Sequence, residues 1–513
     1  TYERLLEVEL DDPAPLDSLE ALHTMVGDWR GLVDVLSRKV QRAYDSAERG
    51  ELLLRAGSVL EELVGDRPGA IEAYRSVLME DELDPVALES LDRLYEQAND
   101  YEQLAEILRR RLDAEQDVEL RVELALRFGR VNEEHVRRPH EAIDAYRRAV
   151  DDDPNQLEAI QALARLFERE AQWPDLLENL RHQAAMHESP TEKVVLLFRA
   201  GEVLEREMDD VLTALPTYEE VLNLDPRYEP AIAALLRIAK LEDYREQAAE
   251  IVEPLLRTQE RWDELADLLQ GKAASAYDPQ EKKVELRRLA EVHELGRRDP
   301  EAAFEAYKQA LGEDPSDAQT AEDLERLAAA LSAWERVADA FASRASSVME
   351  PDVSRALYGR LARIAEEHLE DDARAVEAYT RAIEQAGDDE AALVALDRLF
   401  TKLGAWHELG EILDRRVQAT AEPAERNELL VRLGALKHEQ FSDLRGAFRA
   451  FSEVLDADPY EPRAVSAMES LLEDDELASD VVEVLEPVYR QTGATEKVAA
   501  LYDVRIHLAD TQG

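Results

Sequence analysis

Apolar residues recur along most of this chain at intervals of three and four positions, the spacing of one face of an α-helix. The stretch Trp29–Tyr44 shows the pattern clearly, with Leu32, Val33, Leu36 and Val40 on one side. No stretch shows the strict alternation of apolar and polar residues that is typical of a β-strand. The pattern therefore predicts an all-α protein.

The helical pattern repeats with a constant step, the 72-residue period that separates Tyr74 from Tyr146, and three markers keep that period. An aromatic residue at the end of an Ala-x-x-Ala motif, with substitutions, recurs at Tyr74, Tyr146, Tyr218, Tyr307, Tyr379 and Phe451. A second aromatic recurs at Trp29, Tyr101, Trp173, Trp262, Trp334 and Trp406. A small residue recurs at Gly57, Gly129, Gly201, Ala290, Ala362 and Gly434. Three markers in one register indicate a repeat array, which grows by stacking and needs no single central core.

Each period predicts four helices, which we name first to fourth, starting at the second aromatic marker. In the first complete period they are expected near Trp29–Tyr44, Glu51–Leu63, Pro68–Met79 and Val86–Gln97. The connections are two to five residues long, so successive helices must run antiparallel. An Asp-Pro pair is expected to end the third helix, because proline disfavours helical backbone at the residue before it.

The period is interrupted by extra sequence. The step lengthens between Leu241 and Trp262, and the segment Ile251–Pro254 found there is similar to Val484–Pro487 near the end of the chain. Each insertion predicts one additional helix. Because the chain begins inside a repeat and without Met, we expect it to be part of a longer array. The expected segments are residues 1–28, the end of a truncated repeat; 29–242, three four-helix repeats; 243–260, an inserted helix; 261–475, three further repeats; and 476–513, a second inserted helix and the start of another repeat.

The second and third helices resemble a tetratricopeptide repeat. In the third repeat, Gly201, Ala214, Tyr218 and Asp225-Pro226 fall where that motif has its small residue, its alanine, its aromatic and its terminal proline. The fourth helix and the first helix that follows it form a weaker copy. The resemblance implies a right-handed α-solenoid, here of about 29 antiparallel helices. It also implies a scaffold for protein partners, whose concave groove is lined by the second and fourth helices.

Charge narrows the range of partners. The chain has 115 acidic and 61 basic residues, a formal net charge of −54. This charge keeps a long exposed array soluble, and it could also attract basic segments of other proteins. Nucleic acid is disfavoured, because each phosphate contact requires a lysine or arginine. No run of about 18 apolar residues exists, so no membrane insertion is expected. The sequence leaves the compartment open and favours a soluble, cytoplasmic protein. The excess of Arg over Lys with abundant Ala suggests a bacterial source.

No pattern indicates catalysis. The chain has no cysteine, which excludes disulfides, zinc–thiolate sites and thiol chemistry. Phosphate-binding, dinucleotide-binding, metalloprotease and hydrolase motifs are missing from the sequence. The acidic clusters 81–84 and 151–153 lack the glycine and terminal glutamate of a calcium-binding loop. We therefore expect no enzymatic activity, no cofactor and no metal site.

Two charged positions follow the 72-residue period on the helices expected to line the groove. Arginine recurs at Arg93, Arg165, Arg237, Arg326 and Arg398. Glutamate recurs at Glu61, Glu133, Glu205, Glu294 and Glu366. Each arginine could pair with a nearby glutamate and fix the stacking register, since its planar guanidinium suits a carboxylate. Alternatively, the arginines face a bound acidic segment, or the glutamates a basic one.

Positions that differ between repeats on these helices are further candidates for partner contacts. They are Ser58, Arg130, Glu202, Glu291, Arg363 and Ala435. The leading hypothesis is thus a non-enzymatic scaffold that holds proteins or peptides in a groove. Two alternatives stay open: a structural component that self-associates through the ends of the array, and the regulatory or substrate-recruiting arm of an enzyme whose catalytic domain lies outside this sequence.

Overall fold

The computed structural model describes residues 14–474 and 476–511. These residues form 28 α-helices and contain no β-strand, which confirms the predicted all-α array of helix pairs. The chain forms two compact units, Thr1–Val252 and Glu253–Gly513. Within each unit, helices that follow one another in sequence pack against each other. The finer division into five segments stays a prediction.

The helices keep the predicted four-helix order. The first thirteen are α1 (Ala14–Val26), α2 (Trp29–Arg42), α3 (Ser46–Ser58), α4 (Arg67–Glu80), α5 (Pro85–Ala98), α6 (Tyr101–Ala114), α7 (Val118–Val131), α8 (Pro139–Asp152), α9 (Leu157–Arg169), α10 (Trp173–Met186), α11 (Pro190–Glu202), α12 (Val211–Leu224) and α13 (Glu229–Ile238). The inserted helix is α14 (Arg245–Thr258). The next three repeats are α15 (Trp262–Ser275), α16 (Pro279–Glu291), α17 (Pro300–Glu313), α18 (Ala318–Leu331), α19 (Trp334–Ser347), α20 (Pro351–Glu367), α21 (Asp372–Ala386), α22 (Glu390–Leu403), α23 (Trp406–Ala419), α24 (Pro423–Glu439), α25 (Leu444–Ala457) and α26 (Pro462–Ser470). The last two are α27 (Ala478–Thr492) and α28 (Thr495–Thr511).

The extra sequence forms helices at both predicted places. Proline stands at the tenth position of each, at Pro254 in α14 and Pro487 in α27. Each follows a short fourth helix and a turn of 3-10 helix, Glu242–Tyr244 and Leu471–Glu473. The inserted helices therefore directly precede the next first helix, the place that a fourth helix has elsewhere.

The second helix of the repeat differs from its prediction. In the first repeat it begins at Ser46 rather than Glu51, and its last turn, Val59–Val64, is π-helical. A residue with positive φ follows in every repeat, at Gly65, Arg137, Asp209, Arg298, Glu370 and Ser442. The next N–H then donates to a carbonyl six residues earlier, as from Asp66 to Leu60 at 2.9 Å. This closes the helix end in the left-handed manner that usually favours glycine, although five of the six residues have side chains.

The Asp-Pro prediction was wrong for the first repeat. The third helix ends there at Asp81, as it ends at Asp153, Asp225, Asp314 and Asp458 in other repeats. The carboxylate at each of these positions accepts the N–H two residues later, as Asn155 donates to Asp153 at 3.1 Å. The pair Asp84-Pro85 instead begins the fourth helix, where Asp84 accepts the N–H of Ala87 at 2.8 Å. Both aspartates satisfy free backbone N–H groups, so sequence alone did not separate them.

The third-helix aromatic packs against the small residue of the second helix. A Cβ on Gly129 would lie 2.6 Å from the ring of Tyr146, and one on Gly201 would lie 2.5 Å from Tyr218. The same closeness holds at Gly57 and Gly434. Rings at this distance are almost fully buried, with Tyr218 at 0% and Tyr146 at 2% exposure. The small residue therefore sets how closely the second and third helices approach.

This contact leads to a prediction on stability. Gly129→Ala should lower the free energy of unfolding by about 1–3 kcal/mol, because the added methyl group displaces the buried Tyr146 ring. Gly50→Ala is the matched control, since Gly50 lies inside the same type of helix with nothing within 4 Å of its would-be Cβ. It should stabilise the protein by about 0.5–1 kcal/mol through helix propensity. Urea unfolding followed by circular dichroism measures both, and equal effects would contradict the packing described.

Candidate partner-binding surface

All five arginines of the periodic row pair with the glutamate of their own repeat. Each pair joins a fourth helix to the end of the second helix before it. The N–O distances are 2.7 Å for Arg93–Glu61, 3.7 Å for Arg165–Glu133, 2.7 Å for Arg237–Glu205, 2.9 Å for Arg326–Glu294 and 2.8 Å for Arg398–Glu366. We call the surface of second and fourth helices that carries these pairs the ladder face of each unit.

In the first three repeats, the third-helix tyrosine donates a hydrogen bond to the ladder glutamate. The hydroxyls of Tyr74, Tyr146 and Tyr218 donate to Glu61, Glu133 and Glu205 at 3.2, 3.1 and 2.8 Å. The five glutamate side chains are 11% to 22% exposed, whereas the arginines are 48% to 63% exposed. The carboxylate is therefore fixed and the guanidinium is at the surface.

Burial and the hydrogen bonds within this group shift the pKa values of its tyrosine and its arginine. Burial, followed by the hydrogen bond to Glu205, holds the pKa of Tyr218 well above its ordinary value. The hydrogen bond to Glu205 likewise raises the pKa of Arg237. Each group of tyrosine, glutamate and arginine thus links three helices through one carboxylate.

The hydrogen bond from tyrosine to glutamate is found in the three repeats that combine this tyrosine with glycine. Tyr307 and Tyr379 stand opposite Ala290 and Ala362, and among the described residues neither hydroxyl bonds to the ladder glutamate. We infer that the alanine methyl holds the ring away from the second helix. In the sixth repeat all three members are replaced together, by Phe451, His438 and Ser470.

The candidate positions that vary between repeats also lie on the ladder face. Each stands one residue after the small residue and three before the glutamate of the row. Arg130 pairs with Glu158, Glu202 with Arg206 at 2.9 Å, and Arg363 with Glu325 at 3.2 Å, while Glu291 is exposed. Within each unit these residues share a helix face with the ladder glutamates, and their contact with a partner stays a prediction.

A second set of ion pairs was missed in the sequence. Asp92 on a fourth helix binds Arg111 of the next first helix and Arg127 of the next second helix, the latter at 2.9 Å. Asp397 binds Arg416 and Arg432 in the same way. These two carboxylates are only 4% and 3% exposed. We call such groups the buried-carboxylate clusters.

The 72-residue period contains the signal that would have found these clusters. The acid recurs at Glu20, Asp92, Glu325 and Asp397, and the second-helix arginine at Arg55, Arg127, Arg360 and Arg432. The inserted helix supplies Glu253, which binds Arg288. The row is harder to recognise because the acid alternates between Asp and Glu and is Ala164 in the second repeat.

The two histidines at equivalent repeat positions have a packing role. His135 and His368 stack on Tyr101 and Trp334, with ring centroids 3.8 and 3.7 Å apart. Across the described part of the chain, no group of three or more acidic or histidine side chains is arranged to hold a metal ion. None of the helices that the structure describes has the length and apolar character needed to cross a bilayer.

The ladder pairs lead to a second prediction. Arg237→Glu should destabilise the protein by about 1–2 kcal/mol, because it places a carboxylate beside the largely buried Glu205. Arg181→Glu makes the same charge change at an exposed position of α10, for which no ion pair is found among the described residues. It should shift the melting temperature by far less. A similar loss in both variants would mean that net charge, and not the ladder pair, causes the effect.

The buried-carboxylate clusters lead to a third prediction. Asp92→Ala should cost about 3–5 kcal/mol, because it leaves Arg111 and Arg127 without their buried carboxylate. The double variant Asp92→Ala, Arg111→Gln should recover part of that loss. It copies the junction of the second and third repeats, which has Ala164 and Gln183 at these places. Chemical unfolding of both variants measures the difference, and a double variant no more stable than Asp92→Ala would contradict the proposed coupling.

Comparison with known proteins agrees with this geometry. Residues 87–122, which include a fourth helix and the first helix after it, match the tetratricopeptide repeat family. No curated protein matches the sequence.

Several solved structures are similar in part. A structure of Naa15/Naa10 bound to HypK has 14% identity and a TM-score of 0.29, with 97% of this chain and 76% of that chain covered. YrrB, described as a TPR protein with an unusual peptide-binding site, has 16% identity and a TM-score of 0.22, covering 39% of this chain and 96% of that one. The C-terminal part of a TPR repeat-containing protein from Cytophaga hutchinsonii has 16% identity and a TM-score of 0.23, covering 53% and 99%. Residues 87–122 are thus similar to a tetratricopeptide repeat, and the same pairing of helices recurs along the described residues.

Proposed function

We propose that this chain is a non-enzymatic scaffold that binds basic segments of partner proteins on its ladder faces. Arrays of tetratricopeptide-like pairs expose a continuous surface of helices whose side chains can differ from repeat to repeat without changing the fold. Here the residues after each small residue vary in this way, from Ser58 and Arg130 to Glu202 and Arg363.

The excess of carboxylates is the observation that carries the proposal. Most arginines described on the second and fourth helices already bind a carboxylate of the same chain, as Arg93, Arg130 and Arg237 do. With 115 acidic and 61 basic residues, pairing every base once would still leave 54 acids. Such a surface attracts positive charge and repels negative charge, so it favours the encounter with a basic segment.

The periodic arginines have a supporting role in this proposal. Because Arg93, Arg165, Arg237, Arg326 and Arg398 each neutralise a ladder glutamate, they hold the helices in register and do not form a free positive row. An acidic peptide would have to compete with those glutamates. Partner contacts are instead expected at the variable positions and at unpaired carboxylates beside them.

Selection of random twelve-residue peptides displayed on phage against the purified protein tests this function. We expect enriched peptides rich in arginine and lysine, with binding that weakens as salt rises, because exposed charge pairs are screened. Bound peptide should slow amide exchange in second and fourth helices. Enrichment of acidic peptides, or protection confined to first and third helices, would contradict the proposal.

Light scattering on the same preparation tests the self-association alternative. A scaffold with an open binding face should keep its monomer mass across concentrations. Growth of the particle mass with concentration, together with no peptide enrichment, would instead favour a structural component that assembles with itself.

A further inference from the structure

The third repeat contains an aromatic pair that the other repeats lack. Phe198 in α11 and Tyr228, just before α13, meet edge to face with ring centroids 5.4 Å apart. Phe198 also contacts the buried Tyr218 at 5.7 Å. Phe198 and Tyr228 both stay partly exposed, so their outer surfaces are open to a ligand.

Both aromatics depart from the repeat pattern. The position of Phe198 is occupied elsewhere by Leu54, Leu126, Arg287, Gly359 and Val431. The position of Tyr228 is occupied by Asp84, Gln156, Asp317, Asp389 and Glu461. The two departures come together in one repeat, and their side chains touch.

Tyr228 replaces a residue that caps a helix in three of the other five repeats. It stands at the N-cap of α13, where its side chain caps no N–H, as Gln156 and Asp317 also cap none. Asp84, Asp389 and Glu461 each accept a backbone N–H of the helix that follows. A lost N-cap bond weakens a helix, since the first N–H groups have no partner within it. A residue that breaks a local rule without a visible structural gain is expected at a functional site.

The surroundings of the pair are apolar on one side and acidic on the other. Val195, Phe198 and Glu202 are spaced by three and four residues along α11 and so share one face. Val195 is 52% exposed and the Glu202 side chain 30% exposed. Glu202 lies one turn after Phe198 on α11, and Asp225 stands three residues before Tyr228. After burial, the negative charges of these two carboxylates contribute to a raised pKa of Tyr228. We call Val195, Phe198, Glu202 and Tyr228 the aromatic–acid patch.

We propose that the aromatic–acid patch binds an arginine or lysine side chain of the basic segment, and this inference rests on the proposed function. The cation lies against the aromatic rings, whose faces carry negative partial charge, and Glu202 accepts its N–H groups. Val195 contacts the apolar stem of the same side chain. The existing partner of Glu202 is Arg206, one turn along the helix at 2.9 Å. Such a pair within one helix is weak, so an incoming cation can replace it.

The charge of the patch selects against other occupants. An acidic side chain would meet Glu202 and Asp225, which repel it. A purely apolar side chain would cover the Glu202–Arg206 pair and remove it from water without adding a hydrogen bond, which is unfavourable. Only a cation with an apolar stem satisfies both the rings and the carboxylate.

Fluorescence anisotropy with a labelled decapeptide of alternating arginine and alanine tests the proposal. The double variant Phe198→Leu, Tyr228→Gln places the second-repeat residues in the third repeat, so it should fold, and it changes no charge. We expect its affinity to fall about 5- to 30-fold, the range of one or two desolvated cation–π contacts. Tyr44→Gln, which removes a tyrosine that is 98% exposed elsewhere in the same unit, is the control and should change affinity by less than about 2-fold.

The outcomes separate this site from the proposed function. Tight binding by the wild type with equal binding by the double variant would overturn the patch and leave the scaffold function standing. No binding of the arginine peptide by the wild type would overturn both. A gain of affinity on Leu126→Phe, Arg130→Glu, Gln156→Tyr, which builds the aromatic pair and its carboxylate in the second repeat, would support the site independently.

Discussion

The close approach of the third helix to the second is the contact on which the other features depend. Glycine at Gly129 or Gly201 lets a tyrosine ring lie against the helix backbone, and the ring then reaches the glutamate one turn further on. That glutamate binds an arginine of the following fourth helix. A single small residue thus positions three helices. Where alanine takes the place of this glycine, at Ala290 and Ala362, the hydrogen bond from the tyrosine hydroxyl to the ladder glutamate is not found among the described residues.

Two sets of ion pairs work with this packing in different ways. The ladder pairs are half exposed, so each adds little to the free energy of unfolding, and their main effect is on the register of neighbouring helices. In the buried-carboxylate clusters, Asp92 and Asp397 are almost unexposed, and each joins a fourth helix to the two helices that follow. Because each repeat contacts mainly its neighbours, stability builds up along each unit by such local links.

Much of the fold could be predicted from the sequence because the copies of the repeat within the chain can be compared with one another. The period located the four helices, both inserted helices and the arginine and glutamate that pair. The helix ends were less predictable, since residues such as Arg137 and Glu370 adopt positive φ where glycine is the usual signal. The Asp81 and Asp84 caps were confused because either carboxylate can accept backbone N–H groups.

The site was harder to predict than the fold for a physical reason. Residues that recur with the period, such as Arg165, are easily recognised in the sequence. Most of them make the packing contacts that every repeat needs, and they do not by themselves identify a binding site. Phe198 and Tyr228 carry the opposite signal, since they break the period at two positions that meet only in three dimensions. A search for paired departures from the repeat, in addition to the repeat itself, would have found them.

Hydrogen exchange on the intact chain tests the central claim most directly. If the ring–glycine contact organises each repeat, amides around the small residue of the second helix and the aromatic of the third should exchange slowest, and this protection should recur once in every repeat. Protection should be weaker in the sixth repeat, where Phe451, His438 and Ser470 remove the tyrosine–glutamate–arginine link. Slowest exchange in the first and fourth helices, or a protection pattern without the period, would contradict the account.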